Sequence, residues 1–152
     1  VADDLDATIR ELRQAIYQLQ TPAQHDDLRV EIKDLVERAV DGSTAKVRLH
    51  FAGLVGSLIT DTLHPTLLAV LREAMSNAVR HASAATIDVS VSVEDDTVTA
   101  TVNDDGVGID PSITRRSGLA NLEARAAEFG GSLTIGEGER GVGTRLVWTA
   151  SL

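Results

Sequence analysis

Thr97-Val98-Thr99-Ala100-Thr101-Val102-Asn103-Asp104-Asp105-Gly106-Val107-Gly108 is a strand that ends in carboxylates and glycines. Its side chains alternate apolar and polar, the period of a half-buried strand. Val98, Ala100 and Val102 share one face, and parity carries Asp104 to the same side. A carboxylate pointing inward is costly unless donors meet it. Asp104 is therefore either a turn residue that bonds its own backbone or a recognition group in an enclosed site. Gly106 and Gly108 remove side chains where the chain turns tightly or lets a ligand approach the backbone.

Working outward, Ile87, Val89, Val91 and Val93 form a second alternating run, joined to the first by Glu94-Asp95-Asp96. The two runs predict an antiparallel hairpin with one wet face. Upstream lie a helix from about Pro65 to Ala82, a connection from Gly53 to Asp61, and a strand with Val47, Leu49 and Phe51 on one face. Before these, Leu28, Ile32, Leu35 and Ala39 mark another helix, with Asp26 and Asp27 at its positive end and Gly42 stopping it. Downstream, Leu119, Leu122, Ala126 and Phe129 face inward from a helix over Gly118 to Phe129, and two strands close the chain. In the last strand Thr144 shares parity with Leu146, Trp148 and Ala150, so its hydroxyl also faces the interior. Strands with one polar face plus three helices give an α+β fold. The expected form is a two-layer α/β sandwich whose mixed, mostly antiparallel sheet is covered on one face by the helices.

The first residues are organised differently. Leu5, Ile9, Leu12, Ile16 and Leu19 are spaced 4, 3, 4 and 3 apart, an a/d seam over two heptads. That pattern fits a helix made to pair with other helices, and equally an amphipathic helix packed on its own domain. Thr21-Pro22 breaks it. We expect residues 1–21 to be the end of a pairing helix and 22–152 to be one globular domain. The chain starts at a valine with no leader before it, as a piece of a longer protein would.

Composition narrows the function. No cysteine is present, so disulfides and thiolate metal sites are excluded, and a reducing cytoplasm is the expected compartment. Apolar runs fall well short of the roughly 18 residues of a membrane span. The net charge of −9 repels nucleic-acid phosphates and anionic lipid, which argues against both as partners. Any phosphate must be held locally, by helix N-termini, glycine-loop amides, a few arginines or a divalent cation.

On the Pro65 to Ala82 helix, Glu73, Asn77, Arg80 and His81 line one stripe, opposite Leu67, Leu71, Ala74, Ala78 and Ala82. Taken alone, such a stripe is also what a solvated face looks like. Gly118-Leu119-Ala120-Asn121-Leu122 and Gly141-Val142-Gly143-Thr144 add glycine turns at the start of a helix and of a strand.

In this order the four segments resemble the N, G1, G2 and terminal glycine boxes of the GHKL ATPases: Glu73-x-x-x-Asn77-Ala-Val-Arg80-His81, Asp104-x-Gly106-x-Gly108, Gly118-Leu-Ala-Asn-Leu, and Gly141-x-Gly143-Thr144. The resemblance covers residues 44–152 and implies the Bergerat fold. Within that superfamily the chain is similar to the catalytic domains of sensor histidine kinases that act with NarL/LuxR-type response regulators. A narrower likeness, general rather than tied to a motif, is to the mycobacterial dormancy oxygen-sensing kinases with haem in upstream GAF domains. The resemblance implies ATP and Mg²⁺ as ligands, with Asn77 on the metal and Glu73 as general base or orienter of the attacking group. Arg80, His81 and Gly118 with Leu119 and Ala120 fall on the phosphates. Asp104 reads adenine, with Gly106, Gly108, Gly143 and Thr144 around it. It further implies cytoplasmic phosphotransfer, a homodimeric full-length protein, and partners in its own dimerisation domain and a regulator.

Two departures matter. Only nine residues separate Gly108 from Gly118, a short lid containing Arg115 and Arg116, and no phenylalanine-bearing F box is present. The histidines are His25, His50, His64 and His81, and none lies in a phosphoacceptor motif; His25-Asp26-Asp27 imitates one but follows the proline break.

Overall fold

A computed structural model describes residues 8–9, 12, 24–80, 84–107, 118–138 and 141–152, with 24–27 and 57 described by backbone alone. The seam and its boundary with the globular domain lie almost wholly outside the described residues. Ile9 and Leu12 are the seam positions described, and both are exposed.

The elements are α1 (Gln24–Val40), β1 (Lys46–Ala52), α2 (Val55–Leu58), α3 (Leu63–Arg80), β2 (Thr86–Glu94), β3 (Thr97–Asp104), α4 (Leu119–Glu128), β4 (Leu133–Glu137) and β5 (Thr144–Ser151). The sheet order is β1-β2-β3-β5-β4, with β1 parallel to β2 and the other pairs antiparallel. This is the expected mixed, mostly antiparallel sheet with α1, α3 and α4 covering one face. The one-turn α2 is additional, and it turns Val55 and the following Ile59 into the core.

Alternation sets which face is covered. Along β3 every second residue from Val98 to Asp104 is buried, and along β5 every second residue from Thr144 to Ala150. The register stacks Val98 on Ala150, Ala100 on Trp148, Val102 on Leu146 and Asp104 on Thr144. Inward rows are thus apolar until the last, where Ile87, Asp104 and Thr144 lie side by side at one end of the sheet. The opposite face carries Ser90, Ser92, Thr99, Thr101 and Thr149, hydroxyls that suit a wet surface.

α3 starts two residues before the expected Pro65. Thr60 explains the difference, because its carbonyl accepts from the amides of Leu63 and His64 and its Oγ1 lies 3.2 Å from the Leu63 amide. Pro65 then falls in the first turn, where a missing N–H costs nothing. The buried arc of α3 is wider than the predicted stripe, adding Val70 and Met75 to Leu67, Leu71, Ala74 and Ala78. Trp148, fully buried on β5, donates its indole N–H to the Leu122 carbonyl at 3.0 Å and pins α4 onto the sheet.

The β2–β3 turn is tight. Asp95 and Asp96 have φ of 49° and 60° while Glu94 pairs with Thr97, the pattern of a type I′ two-residue loop. Aspartate tolerates that region less well than glycine, and three acids stand in succession. Asp96→Gly is expected to raise stability by about 0.5–1 kcal/mol. Urea unfolding reads this directly, and a lowered midpoint contradicts the turn assignment.

Candidate nucleotide site

Among the described residues, Asn77, Asp104 and Thr144 are the buried polar side chains, with relative exposures of 6%, 4% and 4%. Asn77 stands on α3, which packs on β3 and β5, the strands that carry Asp104 and Thr144. Asn77 Nδ2 and Thr144 Oγ1 have no hydrogen-bond partner. A buried polar atom left unpaired costs about 1–3 kcal/mol, so each of these atoms is a place where a polar partner is wanted. The burial of Asn77 also removes the solvated-face reading of its stripe at this position.

Asp104 is held from several sides. Its Oδ1 accepts from the Gly106 amide at 2.9 Å, and the Thr144 backbone also bonds the carboxylate. Burial nevertheless dominates and pushes its carboxyl above the ordinary aspartate range, against the lowering by those two bonds. The turn-residue reading is thus met, since the carboxylate bonds its own loop, and the same carboxylate is buried.

Glycines let the neighbouring chain close in. A Cβ on Gly143, whose φ is +79°, would overlap the Asp104 carbonyl, and one on Gly138 would overlap the Val142 carbonyl. The β4–β5 connection therefore lies directly against the end of β3, with Gly138 N bonding Gly143 O at 3.1 Å.

On the other side of α3, a Cβ on Gly118 would overlap the Glu73 carboxylate, so these two predicted site residues are in contact. They line one hollow of about 200 Å³ between α3 and α4, together with Arg72, Asn121 and Arg125. Neither Asn77 nor Asp104 lines it. Gly118 caps α4 without a side chain and the first turn itself carries no acid, so the Glu73 carboxylate against Gly118 is the anionic group at the positive end of the helix dipole. Leu119 is buried as a core anchor, Ala120 is exposed, and Arg80 is exposed in the last turn of α3. Gly106 is half-buried. His81, Gly108, Arg115 and Arg116 lie outside the described residues, and of His25 only the backbone is described.

Sequence reasoning passed over Asp105. Its Oδ1 accepts from the amides of Ala85 and Thr86, each at 2.8 Å, which ties the end of β3 to the start of β2. Those bonds, that of Thr86 foremost, hold its carboxyl below the ordinary range.

The family model described as "Histidine kinase-, DNA gyrase B-, and HSP90-like ATPase" matches residues 62–152. This chain belongs to that family. Among its relatives, the sensor histidine kinase LnrJ of Bacillus subtilis is 38% identical over 87 residues, or 57% of this chain and 21% of the relative. The nitrate/nitrite sensor protein NarQ of Escherichia coli is 29% identical over 136 residues, covering 88% of this chain and 24% of that protein. The chain thus spans a quarter or less of the length of these two relatives. Among solved structures, the ATP binding domain of PrrB from Mycobacterium tuberculosis superposes with a TM-score of 0.58 at 23% identity. That superposition covers 79% of this chain and 93% of the other. At that identity the likeness shows the fold of the ATPase domain, the two-layer sandwich expected above.

Gly143→Ala meets both a strained φ and the Asp104 carbonyl, and is expected to cost about 2 kcal/mol or more. In the β4 strand, a Cβ on Gly136 meets nothing within 4 Å, so Gly136→Ala serves as a near-neutral control. Equal denaturation midpoints for the two variants contradict the close packing of the glycine loop on β3.

Proposed function

We propose that this ATPase-family domain binds Mg-ATP at the Asp104 end of the sheet and donates the γ-phosphoryl group to a histidine on a dimerisation helix outside the domain. A NarL/LuxR-type regulator aspartate is the next acceptor, and the full protein works as a cytoplasmic homodimer. The observation that carries the reading is the enclosed carboxylate of Asp104 beside the unpartnered Thr144 hydroxyl. The name of one relative, a sensor histidine kinase, supports a histidine as the acceptor. Among the described residues no helix is long and apolar enough to cross a membrane.

An ionised carboxylate only accepts hydrogen bonds, so Asp104 suits the N6 amino group of adenine and repels the O6 of guanine. Gly106, Gly143 and the Thr144 hydroxyl shape the rim of the same place, with Gly108 continuing the loop. At the other end of the nucleotide, Arg80, His81 and the α4 N-terminus, through Gly118, Leu119 and Ala120, meet the phosphates. Mg²⁺ would be held through few protein oxygens plus phosphate and water, and the Asn77 amide oxygen is the protein ligand it would take. When bound, the metal neutralises charge on the phosphates. Glu73 lies beside Gly118, and its role in this reading is to orient the attacking group. In phosphoryl transfer the protein chiefly positions reactants and neutralises charge, which is the work these side chains do.

Asp104→Asn keeps an oxygen for the Gly106 amide but offers adenine the wrong group. It is expected to weaken ATP about a hundredfold and to erase the preference for ATP over GTP. The sign of the pH effect follows from the raised carboxyl: nucleotide selects the ionised acid, so affinity falls as pH drops through that raised value. In the free domain the sign is opposite, because a raised folded value lends stability at low pH that is lost as pH rises through it. The asparagine variant therefore stays folded at neutral pH. Calorimetry that finds unchanged ATP affinity in the folded variant overturns the site.

The second test concerns transfer. With γ-labelled ATP the isolated chain is expected to remain unlabelled, and to label a separately made phosphoacceptor helix pair from its own parent. Stable label on the isolated chain contradicts the assignment of an external acceptor. Binding to the helices without label favours a nucleotide-sensing interaction module, and label only on a serine protein partner favours an anti-sigma-factor type kinase.

A further inference from the structure

We propose that Asp105 is a positioning residue of the nucleotide site, a clamp that fixes the end of β3 carrying Asp104 against the segment that follows α3. This rests on the reading of Asp104 as the adenine acceptor.

The geometry converges on Ala85 and Thr86. Both amides donate to Asp105 Oδ1 at 2.8 Å, and the Asp105 amide lies 3.3 Å from the Thr86 carbonyl. From the other side, the Lys46 amide donates to the Ala85 carbonyl at 2.9 Å, so the starts of β1 and β2 and the end of β3 meet at one point. Ladder pairing alone brings β3 only as far as Asp104 opposite Ile87. Beyond that pair, the carboxylate of Asp105 takes over from the ladder. It sits one residue from the Gly106 amide that bonds Asp104, and the amide it holds at Ala85 lies five residues beyond Arg80, the last residue of α3.

This gives Asp105 a role distinct from its neighbour. The two consecutive acids point to opposite sides of the strand, Asp104 inward and buried, Asp105 outward and exposed. The outward acid fixes two amides at a strand start, which no ladder partner on β3 otherwise reaches. The inward one is thereby held at a set depth and angle relative to α3, on which Asn77 stands. Charge-assisted bonds from two amides to one carboxylate oxygen are short and directional, the kind that sets position. Removing them frees the Gly106 loop to shift, and a displacement of the base acceptor is felt most in discrimination between bases.

The test uses the whole chain and titrates ATP and GTP into wild type, Asp105→Ala and Asp105→Asn, at a temperature where circular dichroism shows all three folded. Wild type binding ATP more tightly than GTP is the prior condition, and its failure overturns the nucleotide reading itself. Given that, Asp105→Ala is expected to lose about tenfold in ATP affinity, the worth of one well-placed hydrogen bond, and to narrow the ATP-to-GTP ratio. Asp105→Asn keeps an acceptor oxygen for both amides and is expected to restore most of the affinity and the ratio. It also removes a like charge beside Asp104, so the pH midpoint of ATP affinity moves down. An Asp105→Ala domain that is less stable but keeps the wild-type ratio shows a merely structural role and overturns the proposal. So does an asparagine variant as impaired as the alanine.

Discussion

A carboxylate buried at the end of a strand is the constraint from which the rest of this domain follows. Asp104 occupies an inward position in a row otherwise filled by Ile87 and Thr144, and its burial is unfavourable to its charge. Two backbone bonds offset part of that cost. To supply them the chain must turn at once through Gly106 and bring Thr144 alongside, and to bring Thr144 alongside it needs Gly143 pressed on the Asp104 carbonyl. The glycine loops are thus consequences of one acid's location. What those bonds leave open is the other lone pairs of the acid, the Thr144 hydroxyl and the Asn77 Nδ2 donor, a set that under the proposed function a ligand bearing both donors and acceptors would complete.

Much of this was legible before any coordinates. Period-two alternation carried Asp104 and Thr144 inward because a strand admits no other geometry, and the register then placed them opposite each other. The helix stripes were legible only in outline. A helix buried under two neighbours and a sheet presents a broad arc inward, so Val70 and Met75 join the core and Asn77 is enclosed although its stripe reads as polar. The start of α3 depended on Thr60, whose hydroxyl and carbonyl act three residues ahead of the first helical amide, a signal too short-range for periodicity to carry. Asp105 was invisible for another reason: its partners, Ala85 and Thr86, are distant in sequence and act chiefly through backbone amides, which no residue pattern announces.

The division of labour across the site is equally physical. In the proposed site the base end is made of strand termini cross-braced by backbone hydrogen bonds. The proposed phosphate end is a helix N-terminus with no acid in its own first turn, set against Glu73 through the missing side chain of Gly118. In a chain of net charge −9, an anionic ligand is admitted only where such local dipoles and arginines outweigh the general field.

The most direct measurement is a titration with ATP, with and without Mg²⁺, followed by the backbone and side-chain amide resonances of the chain. The account predicts that the Gly106 and Thr144 backbone amides shift with nucleotide alone, and that the Asn77 side-chain amide shifts further when the metal is added. Shifts confined to the hydroxyl-bearing face of the sheet, around Ser90 and Thr101, with those three groups unmoved, would contradict it.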